Sequence, residues 1–229
     1  MSSNLIKRAG SGLYTQFIKT MTMRRLIAVV LGNIVLGIGA AGLRFSLLGN
    51  EPYTAMNMAI SDGLHMSLGT YQLILNLFLL IIQLIWGRAY IGFGSIINLC
   101  FLGYIIEAAG YVMSLILPSA QGYTFLQKIL FMIVSLLILT FGISMYQTAD
   151  LGVAPYDYLA LGMTDHLPTP YFLNRVITDA ISVLTIVAVV LGGLITWNES
   201  HLGIGTVVGA FFLGPLINFY SKFNEKWIR

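Results

Sequence analysis

Six polar side chains lie inside otherwise apolar stretches of this sequence, and they hold most of its chemistry. Gln72 and Asn76 stand four residues apart, and so do Arg175 and Asp179. On a helix that spacing puts both members of a pair on one face. Glu107 and Asn98 fall together in another apolar stretch. Amide and charged groups at membrane depth are costly, and they commonly line a solute path or relay protons. Glu107 and Asp179 are the candidate proton carriers, and Glu107 has no evident partner. Arg175 and Asp179 also admit a plainer reading, a self-neutralising pair that holds helices together.

A second kind of signal sits between these pairs. Leu48-Gly49-Asn50-Glu51-Pro52-Tyr53 is matched 103 residues later by Leu151-Gly152-Val153-Ala154-Pro155-Tyr156. Gly49 and Gly152 permit turns that other residues resist. Pro52 and Pro155 suit the first position of a helix, where a missing N–H costs nothing. Tyr53, Met56, Ile60 and Leu64 then follow at helical spacing, as do Tyr156, Leu159, Met163 and Leu167. Each helix has about a dozen residues, too few to cross a bilayer, so each is re-entrant or interfacial. Helix N-termini there would offer unpaired N–H groups and a partial positive charge. Asp62 and Asp165 fall where these helices end at water, and Asp150 and Asp157 read as solvated.

The elements that position these residues are apolar spans. Apolar residues make up 57% of the 229-residue chain and charged residues 9%. A soluble domain carries about 25% charged residues. Continuous apolar runs of about 20 residues point to helices rather than a barrel. The spans fall at about 25–46, 67–87, 91–115, 125–147, 170–195 and 202–220. The predicted fold is therefore an all-α membrane protein with six transmembrane helices and two short helices that do not cross. Residues 1–23 form a basic segment able to lie on the membrane surface. Residues 24–117 and 124–220 form two three-span repeats, and 221–229 form a tail. The single cysteine, Cys100, supports neither a disulfide nor a thiolate cluster. A net charge of +3 implies no affinity for nucleic acid.

The repeat survives inspection position by position. At an offset of 103, Gly39 meets Gly142, Asp62 meets Asp165, Gln72 meets Arg175, and Asn76 meets Asp179. After an eight-residue insertion, Gly92, Gly94 and Gly103 meet Gly203, Gly205 and Gly214. Three spans per half is an odd number, so the halves enter the membrane in opposite senses. With the N-terminus in the cytoplasm, nine of the twelve basic residues face inward, as the positive-inside bias requires. Both termini are then cytoplasmic.

Gly49-Asn50-Glu51-Pro52-Tyr53, Ser67-Leu68-Gly69-Thr70, Asn76 and Ile91-Gly92-Phe93-Gly94-Ser95-Ile96-Ile97-Asn98 resemble the YczE/YitT-like family of small bacterial integral membrane proteins. Gly203-Ile204-Gly205-Thr206 in the second half resembles it too. The likeness runs over about residues 24–220. Ser95 departs from the family's frequent Thr, and Tyr53 and Tyr156 from its frequent Trp or Phe. The resemblance implies a multi-pass protein of a bacterial plasma membrane.

The expected function is a small secondary transporter or permease for a small polar or anionic solute, with Glu107 or Asp179 available to couple it to protons. Gln72, Asn76, Asn98, Glu107, Arg175 and Asp179 would form the site, and the two Pro-Tyr segments would line or gate it. Arg175, whose repeat partner Gln72 is neutral, would orient the solute. The alternative is a binding or regulatory subunit that works with another membrane protein or a second copy. No enzyme motif, metal set or cofactor fingerprint is present; His65 and His166 belong to opposite membrane faces. Cysteines placed at Ser119 and Ser221 are expected to label from opposite sides of the membrane. Labelling of both from one side contradicts the six-span arrangement.

Overall fold

A computed structural model describes residues 21–195 and 202–228. Among them are eight α-helices and two short 3-10 turns. In chain order the helices are α1 Met23–Phe45, α2 Pro52–Gly63, α3 Leu68–Trp86, α4 Phe93–Ile116, α5 Phe125–Ala149, α6 Pro155–His166, α7 Tyr171–Leu191 and α8 Ile204–Ile228. All except α2 and α6 are long and apolar enough to cross a membrane. The shortest of these, α3, has 19 residues, about 28 Å at 1.5 Å per residue, close to the ~30 Å hydrocarbon core. Their outer faces carry Phe78, Trp86, Ile116, Phe172, Leu184 and Phe211, a surface for lipid.

The ends of the helices follow local chemistry. Thr22 accepts from the N–H of Arg25 and starts α1; Ser67 accepts from Thr70 and starts α3. Thr124 and Gln127 cap α5 reciprocally. Pro52 and Pro155 open α2 and α6. The span limits read from sequence fall within a few residues of these, with one correction. The tail from 221 is not separate, because α8 continues through it to Ile228. Its polar residues end the apolar run without ending the helix. Asn224 Nδ2 donates to Ser144 Oγ at 2.9 Å, and Ile228 is buried with Ala28 and Val29. The first turns of α1 and the last turn of α8 therefore share one end of the bundle. The surface-lying segment expected at 1–23 falls almost wholly outside the described residues.

α1 and α5 cross in the centre of the molecule. A Cβ on Gly39 would strike the backbone of Leu139, and one on Gly142 the backbone of Leu36. Hydrophobic burial drives little between helices in lipid, so close van der Waals contact must hold them, and small residues allow it. Around the crossing Leu36, Ala40, Leu43, Met132, Leu136 and Leu139 form the main core. α4 packs on α1 and α8 on α5. The short helices α2 and α6 pack instead on α3 and α7, and α3 joins the two groups through α4.

The chain reverses direction after α1 and again after α5, and each reversal is bonded to the opposite half. Gly205 N–H donates to Leu48 O at 2.6 Å, and Gly94 N–H donates to Leu151 O at 2.8 Å. Gly49 and Gly152 have φ of +96° and +115°, where a side chain is strained. Each also lies against the other half's glycine, Gly203 or Gly92, where a Cβ has no room. Gly152→Ala should therefore cost at least about 2 kcal/mol. Gly110→Ala, in a helix interior with nothing near its Cβ, should be neutral or stabilise by up to about 1 kcal/mol. Unfolding in detergent tests the opposite signs.

Candidate functional site

Both short helices begin inside the bundle and run outward. After α1 the chain turns back until Asn50 Nδ2 donates to Ala40 O at 2.8 Å, well within α1. Glu51 then caps α2, its two oxygens accepting from Tyr53 N–H at 3.0 Å and Thr54 N–H at 2.8 Å. An N-terminal helix end attracts just such an anion. In the second half Tyr146 takes this role from within α5. Its hydroxyl accepts from Ala154 N–H at 2.6 Å and donates to Asp157 Oδ2 at 3.4 Å.

The two starts meet at their tyrosines. Tyr53 and Tyr156 stack with centroids 3.8 Å apart and planes 14° from parallel. Both are buried. Tyr53 Oη donates to Asn76 Oδ1 at 2.6 Å, and Tyr156 Oη donates to Asp179 Oδ1 at 2.8 Å. Ser182 Oγ lies 3.1 Å from Tyr156 Oη. Asn76 and Asp179 are matched positions of the repeat, so a chain of contacts runs from one to the other through two aromatic rings. An aromatic pair of this kind contributes about 0.5–1.5 kcal/mol beyond its buried area.

Arg175 completes the second half's side. Its Nη1 donates to Asp157 Oδ1 at 2.6 Å and its Nε to Asp179 Oδ2 at 3.4 Å. Its guanidinium also lies over the Tyr156 ring, 5.1 Å from the centroid. Asp157, expected to be solvated, is instead the shorter of the two ion-pair partners. Its position on the first turn of α6 turns it toward α7, which spacing within either helix does not reveal.

The first half's side is uncharged apart from the Glu51 cap. α2 and α3 run antiparallel, with Tyr53 bonded to Asn76. One turn further along α2 and one turn back along α3 stand Asn57 and Gln72, which therefore share a level. Asn57, Gln72 and Asn76 are 0%, 1% and 1% exposed. Among the described residues, both polar atoms of Gln72 and the Nδ2 of Asn76 have no hydrogen-bond partner, and Asn57 has none beyond its approach to the Tyr53 hydroxyl. A buried polar group left unbonded costs about 1–3 kcal/mol. Gly103 packs directly against Gly69 and the Gln72 side chain, where a Cβ would have no room. The matched level of the second half holds Ala160 and Arg175.

Two expected site residues lie elsewhere. Asn98 Nδ2 donates to Asn33 Oδ1 at 2.9 Å and ties α4 to α1. Glu107 has partners after all: it accepts from Leu68 N–H at 2.7 Å and Gly69 N–H at 3.2 Å, capping α3. Backbone donors leave no trace in side-chain spacing. Asn57, Glu51 and Tyr146 were not singled out from sequence. Asn57 had a signal, since it follows Tyr53 by one helical turn. At the exposed ends of the short helices, Arg44 pairs with Asp62 at 2.9 Å and Tyr90 Oη donates to Asp165 at 2.7 Å. Burial, and then the Asp165 carboxylate, push the Tyr90 phenol above its ordinary range, so it stays a donor. Among the described residues no three His, Cys, Asp or Glu side chains gather as a metal site would need.

A family model described as a family of unknown function, DUF6198, matches residues 23–222. The chain belongs to that family. Its matched region contains every residue of the tyrosine junction. Among relatives, an "Uncharacterized protein" of Haemophilus influenzae is 21% identical over 93% of this chain and 88% of its own length. The "Uncharacterized membrane protein YczE" of Bacillus subtilis is 23% identical over 82% of this chain and 81% of its own. The resemblance read from the glycine and proline motifs thus holds along most of the molecule. No solved structure matches the chain significantly.

Removing Arg175 leaves Asp157 and Asp179 close together with no cation. Their side chains are 18% and 13% exposed. Arg175→Gln should cost about 2 kcal/mol, between the values for exposed and fully buried pairs. Adding Asp157→Asn should restore more of the loss than adding Asp179→Asn, because the Asp157 contact is the shorter. Thermal unfolding of the three variants in detergent measures this order.

Proposed function

We propose that the protein is a secondary transporter or permease for a small polar solute, which binds where the starts of α2 and α6 meet. The observation that carries this reading is the group of buried amides Gln72, Asn76 and Asn57 beside the stacked Tyr53 and Tyr156, with both polar atoms of Gln72 and the Nδ2 of Asn76 unbonded among the described residues. A purely structural core would bond such groups or replace them with apolar ones. Interrupted helices at corresponding points of two halves are also a pointer to a transporter's site.

In this reading the halves are inverted repeats and both termini are cytoplasmic. The reciprocal bonds of Leu48 to Gly205 and Leu151 to Gly94 support the first point. The distribution of basic residues supports the second. The site is buried, so solute enters when the group containing α2, α3, α6 and α7 moves against the crossed α1 and α5. Parting on the Gln72 side opens the path outward, and parting on the Arg175 side opens it inward. Asp179 carries any proton coupling. Protonating it removes an acceptor from Tyr156 and a counter-charge from Arg175, which loosens the junction from one side.

Purified protein in liposomes should move at least one small polar solute. A pH gradient should change the rate, and Asp179→Asn should abolish that dependence while some downhill flux remains. Folded protein that moves nothing across a broad solute panel overturns the proposal.

A further inference from the structure

We infer that the solute is uncharged and carries a carboxamide-like edge, an N–H donor beside a carbonyl acceptor. This rests on the transport site proposed above and narrows what that site takes.

Few polar atoms at the junction remain uncommitted. Both oxygens of Glu51 are taken by the N–H groups of Tyr53 and Thr54. Asp157 accepts from Arg175 and Tyr146, and Asp179 accepts from Tyr156 and Arg175. Arg175 is thereby shared between two carboxylates. An anion entering here meets no unpaired cation and faces three acidic residues against one basic. A cation meets no carboxylate that is not already bonded. What remains is a set of amides: the NH2 groups of Gln72 and Asn76, the carbonyl oxygen of Gln72 and, beside the Tyr53 hydroxyl, the amide of Asn57. All three side chains are at least nine-tenths buried, and Asn76 is bonded to the tyrosine pair itself.

A surface of neutral donors and acceptors is completed by a neutral partner of the same kind. Two amides pair through two parallel hydrogen bonds, each group giving an N–H and receiving one. Asn57 and Gln72, level with one another on adjacent helices, offer two such edges. An anion would add to three carboxylates that face one guanidinium, and a cation would have to displace the N–H and O–H groups those carboxylates already hold, which is unfavourable at a buried site.

Isosteric pairs of probes test charge and shape separately. Acetamide and acetate differ in charge at nearly constant shape, as do urea and guanidinium; glycerol supplies neutral hydroxyls without an amide edge. Flux in liposomes and ligand-induced thermal stabilisation in detergent are read for each. Acetamide and urea should be moved and should stabilise the protein, each at least tenfold more effectively than acetate or guanidinium. Gln72→Met and Asn57→Leu should each weaken that effect at least tenfold and leave the melting temperature of the unliganded protein unchanged or higher. A residue with a structural role would lower it. Preference for acetate or guanidinium overturns the inference and leaves the transport reading standing, and so does preference for glycerol. Amide binding without flux of any probe overturns the transport reading and leaves the solute class standing. If no probe binds or moves while the variants lower the melting temperature, the amides are structural and the inference is wrong.

Discussion

A chain that breaks its helix within an apolar bundle must find partners there for the backbone groups it frees. This constraint organises the molecule. Two reversals, after α1 and α5, would each strand carbonyls and N–H groups. The answers come from across the molecule: Gly205 for Leu48 and Gly94 for Leu151. Those bonds need backbones in near contact, which is why glycines stand at 49, 92, 152 and 203. With the reversals secured, the starts of α2 and α6 are held deep in the bundle. Their caps, Glu51 and Tyr146, come from the chain itself, and their tyrosines can only meet.

From that junction outward, the two halves do different chemistry on one scaffold. Tyr53 and Tyr156 donate to matched positions, yet Asn76 is an amide and Asp179 a carboxylate. One turn away, Gln72 is matched by Arg175. The second half is closed upon itself by ion pairs and by the ring beneath the guanidinium. The first half carries only the Glu51 cap as a charge and leaves amide groups of Gln72 and Asn76 unbonded among the described residues. That contrast lies at one buried place and comes from the side chains at matched sequence positions, not from the course of the backbone.

Much of this was legible in the sequence, for physical reasons. Spans are visible because lipid demands long apolar runs, and Gly49, Pro52, Gly152 and Pro155 mark reversals because few other residues tolerate those backbone positions. Gln72, Asn76, Arg175 and Asp179 stood out because polar groups are rare in such runs. The rest depended on contacts between elements. Asp157 looked like a solvated residue near a turn until α7 brought Arg175 to it. Glu107 looked unpartnered because its partners are backbone N–H groups of another helix. Asn57 was passed over because Met56, Ile60 and Leu64 marked a different face of α2, whereas Asn57, Met58 and Ser61 are the residues enclosed and Leu64 is exposed. The end of α8 was missed because a helix can outlast its apolar run when polar residues such as Asn224 find partners.

The crossed pairing of the reversals also sets a schedule for biogenesis. Leu151 finds its donor, Gly94, in a helix already made when it leaves the ribosome. Leu48 waits for Gly205, which belongs to the last helix. Until α8 is inserted, that carbonyl lacks its native donor, although the bonds of Asn50, Glu51 and Tyr53 within the first half can already form. That one carbonyl must therefore be hydrated or shielded until the last helix arrives. A truncated chain lacking α8 would lose more than one span, because it would leave the opposite half of the molecule unfinished.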